Sequence, residues 1–187
     1  MSSTQQLKIV VTGPMGAGKT TAIRAISDAA PVSTEVDNTD QEAFAKESTT
    51  VGLDYGEIAL ADGTRVRLYG TPGQSRFSFM WDIIARGALG IILLIDASSP
   101  TALDDLASFT ATFQRAVPER PLVVGVGRLQ AAETSRLEQY AKLVESVGVV
   151  APVFSVDVRQ REDVLLLVDT LLCILDVQLA EVEHGGG

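Results

Sequence analysis

A single α/β domain with a doubly wound, six-stranded, mostly parallel sheet and one antiparallel edge strand is predicted by three features of the sequence. Short apolar runs rich in Val, Ile and Leu alternate with longer stretches of helical period, the pattern of a parallel sheet covered on both faces. One pair, Asp62-Gly63, separates two of these runs and carries a strong tight-turn signal. The length, 187 residues with 46% apolar content, suits one well-packed core and is too short for two of ordinary size.

In chain order, Leu7 to Thr12 reads as the first strand, and Lys19 to Asp28 as a helix with Ala22, Ile23 and Ile26 apolar. Pro31 ends that helix. From Val32 to Thr50 the chain is polar and acidic with no clear period, so it reads as a long functional loop. Tyr55 to Ala61 and Arg65 to Gly70 flank the Asp-Gly turn and make the only antiparallel hairpin expected. Leu89 to Ile95, Leu122 to Val126 and Val153 to Val156 are the remaining parallel strands, separated by helices near residues 101–116 and 131–146. A last helix, from about 161 to 182, holds the most apolar stretch, Val164 to Ala180. Asp169 and Asp176 interrupt it and it is shorter than a typical membrane span, so it is expected to be a buried closing helix with Cys173 as a small buried hydrophobe. One domain over residues 1–187 is expected, with its core from about 6 to 182 and a flexible glycine tail at 184–187; His184 in that tail is assigned no role.

Composition excludes several function classes. Lys and Arg number 15 against 24 acids, a formal charge of −9, which argues against broad attraction to nucleic acid or anionic lipid. A single cysteine rules out a disulfide framework. The opening MSSTQQLKIVV lacks the basic flank and long apolar stretch of a signal peptide, no glycine follows Met1, and no prenylation box ends the chain. The expectation is a cytoplasmic protein with no lipid anchor.

The strongest chemical signal is GPMGAGKT, Gly13 to Thr20, which fits GxxxxGK[ST] and lies between a strand and a helix. Gly16 and Gly18 let backbone N–H groups close around phosphate oxygens, and the helix beginning near Lys19 points its positive end at the same charge. Lys19 is placed to reach the β- and γ-phosphates and the Thr20 hydroxyl to ligate Mg²⁺. The candidate contacts therefore run from Gly13 through Pro14, Met15, Gly16, Ala17, Gly18, Lys19 and Thr20 to Thr21.

Two further segments follow: Thr50-Val51-Gly52-Leu53-Asp54-Tyr55, and Gly70-Thr71-Pro72-Gly73-Gln74. Together with the glycine loop they resemble Ras, Rab and Arf-type small GTPases. The resemblance implies that Thr50 binds Mg²⁺ and senses the γ-phosphate, that Gly73 contacts the γ-phosphate, and that Gln74 orients the attacking water. A closer likeness is to bacterial members that read TPGQ or VPGQ here, the gliding-motility MglA type and the GTPases encoded beside roadblock proteins. Residues 73–81, GQSRFSFMW, carry it most strongly, and it spans essentially the whole chain. It implies GTP or GDP as ligand, Mg²⁺, and a roadblock/LC7-type regulatory partner. The usual small GTPase has an aspartate, an outer-shell Mg²⁺ partner, where this chain has Gly70, and weaker metal affinity follows.

Arg76 has two readings, stabilisation of transition-state charge or a plain surface arginine. Met15 stands where glycine is common in Ras-like proteins, and its bulk near the attacking water predicts slow intrinsic hydrolysis.

The family pattern breaks at the base. Instead of NKxD, the fifth family strand is followed by Gly127-Arg128-Leu129-Gln130. Gln130 stands at the aspartate position and offers guanine one carbonyl rather than a charge-assisted pair, a loss of about 1–3 kcal/mol of discrimination. Ser155, Val156 and Asp157 occupy the last base-contacting segment; Asp157 supplies a carboxylate near the base or caps the last helix. Three outcomes stay open: weakened GTP preference, relaxed or ATP use, and nucleotide retained without turnover in a pseudo-GTPase scaffold.

After Gln74, Phe77, Met80, Trp81 and Ile84 fall at core-stripe spacing, while Phe79 and Ile83 lie on another face beside Arg76, a composition suited to a partner surface that changes with the γ-phosphate.

Overall fold

The computed structural model describes residues 6–28, 32–36, 51–73, 83–130 and 134–184. Among the described residues, a seven-stranded sheet carries four helices whose bounds are complete, and residues 83–85 are helical as well. The order along the chain is β1 (Gln6–Thr12), α1 (Lys19–Ile26), β2 (Val32–Val36), β3 (Val51–Ala59), β4 (Arg65–Gly70), β5 (Gly90–Asp96), α2 (Ala102–Ala116), β6 (Leu122–Gly127), α3 (Thr134–Ser146), β7 (Val153–Val156) and α4 (Arg161–His184). The strands lie side by side as β2-β3-β4-β1-β5-β6-β7.

Four of the pairings, β1 with β4 and β5, β5 with β6, and β6 with β7, are parallel. The mostly parallel, doubly wound α/β class therefore stands, and the strand count is corrected from six to seven. Val32–Val36, read as part of a long loop, is an edge strand paired antiparallel with β3. The antiparallel strand is thus second from the edge, and the Asp62-Gly63 hairpin is one of two antiparallel pairings. Strand β3 also begins at Val51, four residues earlier than expected.

Alternation along the central strands divides the core into two layers, because successive strand side chains point to opposite faces. Ile91, Leu93 and Ile95 of β5 pack with Leu106, Phe109 and Phe113 of α2 and Tyr140 and Val144 of α3. Ile92 and Leu94 pack on the other face with Ile23 and Ile26 of α1 and Leu167, Val168 and Leu171 of α4. That two-sided burial explains why β5 reads as a continuous apolar run.

Helix α4 is less buried than its hydropathy suggests. Val164, Leu167, Val168 and Leu171 are buried, but Val177 and Leu179 are 59% and 63% exposed. Cys173 is exposed too, correcting its reading as a core residue. The helix extends through His184, two residues beyond its expected end near 182 and into the expected tail. Among the described residues no helix is long and apolar enough to cross a membrane.

Candidate nucleotide site

Strand β1 delivers the chain into a glycine loop that only this spacing permits. Gly13 has φ 141°, and a Cβ there would lie 2.1 Å from the Leu94 carbonyl oxygen. Gly18, at the cap of α1 with φ 92°, would drive a Cβ to 2.7 Å from Val158 Cγ2. That cap makes no side-chain hydrogen bond and the first turn carries no acid of its own, so the helix's positive end faces the loop.

Lys19 is 8% exposed, and its Nζ donates to the carbonyls of Gly13 and Pro14, each at 2.8 Å. An ammonium has three protons, so one remains for a phosphate oxygen. Burial pushes its pKa down to about 8, with the charge of Asp54 pulling partly the other way.

One residue along, the Thr20 hydroxyl donates to Asp54 Oδ2. Asp54 received no site role from the sequence, yet it supplies the carboxylate that Gly70 lacks. A Cβ on Gly70 would come 2.9 Å from Asp54 Cβ and 3.3 Å from Asp54 Oδ2. The signal was in the hairpin register: Tyr55 pairs with Tyr69, and one further step sets Asp54 opposite Gly70. A hydroxyl and a carboxylate beside a phosphate loop are hard oxygen ligands suited to Mg²⁺, which commonly takes one or two protein groups and completes its shell with phosphate oxygens and water.

Gly73 lies against the loop. A Cβ there would sit 2.7 Å from Lys19 Nζ and 2.6 Å from the Met15 nitrogen. It is held there through Thr71, which is 2% exposed: its N–H donates to the Val11 carbonyl at 3.0 Å and its hydroxyl pairs with that of Thr12 at 2.8 Å. Thr50, Gln74 and Arg76 lie outside the described residues, as do Phe77, Phe79, Met80 and Trp81. Ile84 is buried and Ile83 is 61% exposed, as their spacing indicated. Met15 is 74% exposed on the rim of the loop.

On the side of the loop away from Asp54, a cleft of about 710 Å³ opens between the ends of β6 and β7. It is lined by Ala17, Gly18 and Thr21, by Gly127, Arg128 and Leu129, and by residues 155–159, with Asp96 and Asp163. Ser155, Val156, Asp157 and Arg128 are thus brought to one place, whereas Gln130 is exposed and is not among the lining residues. Arg128 adopts φ 59° and its guanidinium pairs with Asp96. Asp157 is gripped by Arg159, whose Nε donates to Oδ1 at 2.9 Å and whose Nη2 donates to Oδ2 at 2.7 Å. Those hydrogen bonds hold its pKa down to about 2. The Asp157 N–H in turn donates to Asp163 Oδ2 at 2.7 Å, and Asp157 Oδ1 accepts from the Arg159 N–H at 3.0 Å in the turn ahead of α4. Asp96, Arg159 and Asp163 drew no attention in the sequence because their partners are set by the loops' folding.

Proteins that carry a buried lysine in a glycine loop of this kind, at the carboxyl end of a doubly wound parallel sheet, are P-loop nucleotide-binding proteins, and this one has the Ras-like form of that fold. The profile of a family described as "conserved hypothetical ATP binding protein" matches residues 11–185, and the chain belongs to that family. It is also similar to an uncharacterized protein of Methanocaldococcus jannaschii, 28% identical over 100 residues, 54% of this chain and 57% of that protein. The Ras-related protein Rab-27A of Sus scrofa is 26% identical over 186 residues, 90% of this chain and 78% of its own length. The GTP-binding protein ypt2 of Schizosaccharomyces pombe is 29% identical over 107 residues, 54% of each chain. The match thus spans little more than half the length of the first and third of these relatives.

Proposed function

We propose that the protein is a nucleotide-operated switch that binds GTP or GDP, with ATP as the alternative, together with Mg²⁺, hydrolyses the triphosphate slowly and signals to a protein partner. The observation that carries this reading is the position of Gly73 against Lys19. A terminal phosphate seated on Lys19 must either take a hydrogen bond from the Gly73 N–H or displace that segment, so the chain beyond it senses the third phosphate.

Thr20 and Asp54 are the residues that would hold Mg²⁺, which when bound neutralises phosphate charge and orients the phosphate oxygens. Lys19 fixes the phosphates from the other side with its remaining proton. Gln74, next after Gly73, is the residue assigned to orient the attacking water, and Arg76 the one assigned to meet developing charge. Met15 beside Gly73 narrows the approach to that water, which supports slow turnover. The roadblock/LC7-type partner implied by the resemblance is assigned to the face bearing Ile83, which is 61% exposed.

Equilibrium titration of the full chain with GTP, GDP and ATP in the presence of Mg²⁺ tests the reading. Binding of at least one at micromolar concentration is expected, and Lys19→Ala should abolish both that binding and partner binding. If no nucleotide binds, the switch reading fails. If Lys19→Ala leaves partner binding intact, the protein is a scaffold on the same fold.

A further inference from the structure

The cleft beyond the glycine loop has to receive the nucleoside, because Asp54 and Gly73 close the phosphate site on the other side. Reading guanine there requires both oxygens of one carboxylate, to accept from the N1 and N2 groups of the base. Among the described residues, each acid lining the cleft is already engaged. Asp96 Oδ1 accepts from the Ser98 N–H at 2.9 Å and the Ser98 hydroxyl at 2.6 Å, and its Oδ2 accepts from Arg128. Asp157 has both oxygens in the fork of Arg159 and a further bond from the Arg159 N–H at 3.0 Å. Asp163 is turned to the Asp157 backbone at 2.7 Å.

Arg128 and Arg159 themselves are mostly exposed on the rim, with side chains 64% and 77% accessible. A guanidinium plane attracts any aromatic base through its face and does not distinguish one purine edge from another. From this arrangement we infer that Arg159, by occupying Asp157, makes the cleft a purine site of relaxed specificity in which the base is held between arginine faces rather than read through a carboxylate. The inference rests on the nucleotide reading above and names the specificity of the same site.

Competition between a fluorescent triphosphate analogue and unlabelled GTP or ATP, on the full chain with Mg²⁺, measures the ratio directly. The wild-type affinities for GTP and ATP should agree within about tenfold. Arg159→Ala frees the Asp157 carboxylate and should shift the ratio toward GTP by about tenfold or more, and adding Asp157→Asn should cancel that shift. Arg159 is exposed, so its removal leaves the core untouched, and a circular dichroism melt verifies the fold. A wild-type preference for GTP beyond about a hundredfold, or a ratio unmoved by Arg159→Ala, overturns the inference while leaving nucleotide binding in place. Absence of binding to every nucleotide removes the underlying reading instead.

Discussion

Lys19 sets the behaviour of the phosphate site with pH. Its ammonium is buried and titrates near 8 in the folded protein instead of 10.5. In the free protein above pH 8 a phosphate must therefore recruit a proton to bind, and triphosphate affinity should fall by about tenfold per pH unit until the pKa of the bound state is reached. Titrations at pH 7, 8 and 9 check this. Stability of the nucleotide-free protein moves the opposite way. Below about pH 8 both states carry the charge and the fold bears its burial; between about 8 and 10.5 only the unfolded chain keeps the proton, so this group's contribution to stability rises with pH. Asp54 supports a second prediction. Gly70→Asp would restore the usual small-GTPase carboxylate, but its Cβ would meet Asp54 Cβ at 2.9 Å and Ile23 Cδ1 at 3.1 Å. The single substitution should cost about 1–3 kcal/mol in urea denaturation, and Asp54→Gly added to it should recover much of that and retain Mg²⁺-dependent nucleotide binding. Lys19 and Thr20 were legible in the sequence because a loop motif encodes its own contacts within eight residues. Asp54 was not, since its partner Thr20 is 34 positions away and only the hairpin register brings the two together.

At the scale of elements, legibility followed the number of neighbours a segment has. Strands β4 and β7 matched their expected bounds, and central β5 and β6 stood out as apolar runs because helices cover both faces. Strand β2 pairs with β3 alone, so its sequence, Val-Ser-Thr-Glu-Val, answers to one partner and reads as polar loop. Helix α4 misled in the other direction, since hydropathy does not register that its last turns lie beyond the buried stripe ending near Leu171. Its inner turns fit the sheet closely. A Cβ on Gly125 would be 2.9 Å from both Leu167 Cδ1 and Leu94 Cδ2, so the missing side chain makes room for the helix. Leu167→Ala should cost about 2–5 kcal/mol in urea denaturation through the cavity it leaves. Gly125→Ala should cost about 1–3 kcal/mol through overpacking. Combining them should be less costly than their sum, because the smaller residue at 167 relieves the contact made at 125.

For the whole molecule, the decisive fact is that the candidate site is assembled from segments scattered along the chain. The glycine loop, Asp54, Gly73, the turn after β6 and the turn after β7 meet only at the carboxyl end of the folded sheet. An unfolded chain keeps the glycine loop but loses its partners, so the nucleotide should bind the native state almost exclusively. At about 100 times its dissociation constant, such a ligand adds roughly 2.7 kcal/mol to stability. For a chain of this size that corresponds to a rise in melting temperature of roughly 5–10 °C. Calorimetric melts with and without nucleotide, in Mg²⁺ and in EDTA, give the expected order: apo lowest, nucleotide in EDTA intermediate, nucleotide with Mg²⁺ highest. Asp54→Ala should remove the gap between the last two and leave the first. A melting midpoint unmoved by saturating nucleotide would mean that the nucleotide has no preference for the native state, against the site built by the buried bonds of Thr71 and the packing of Gly73 on Lys19.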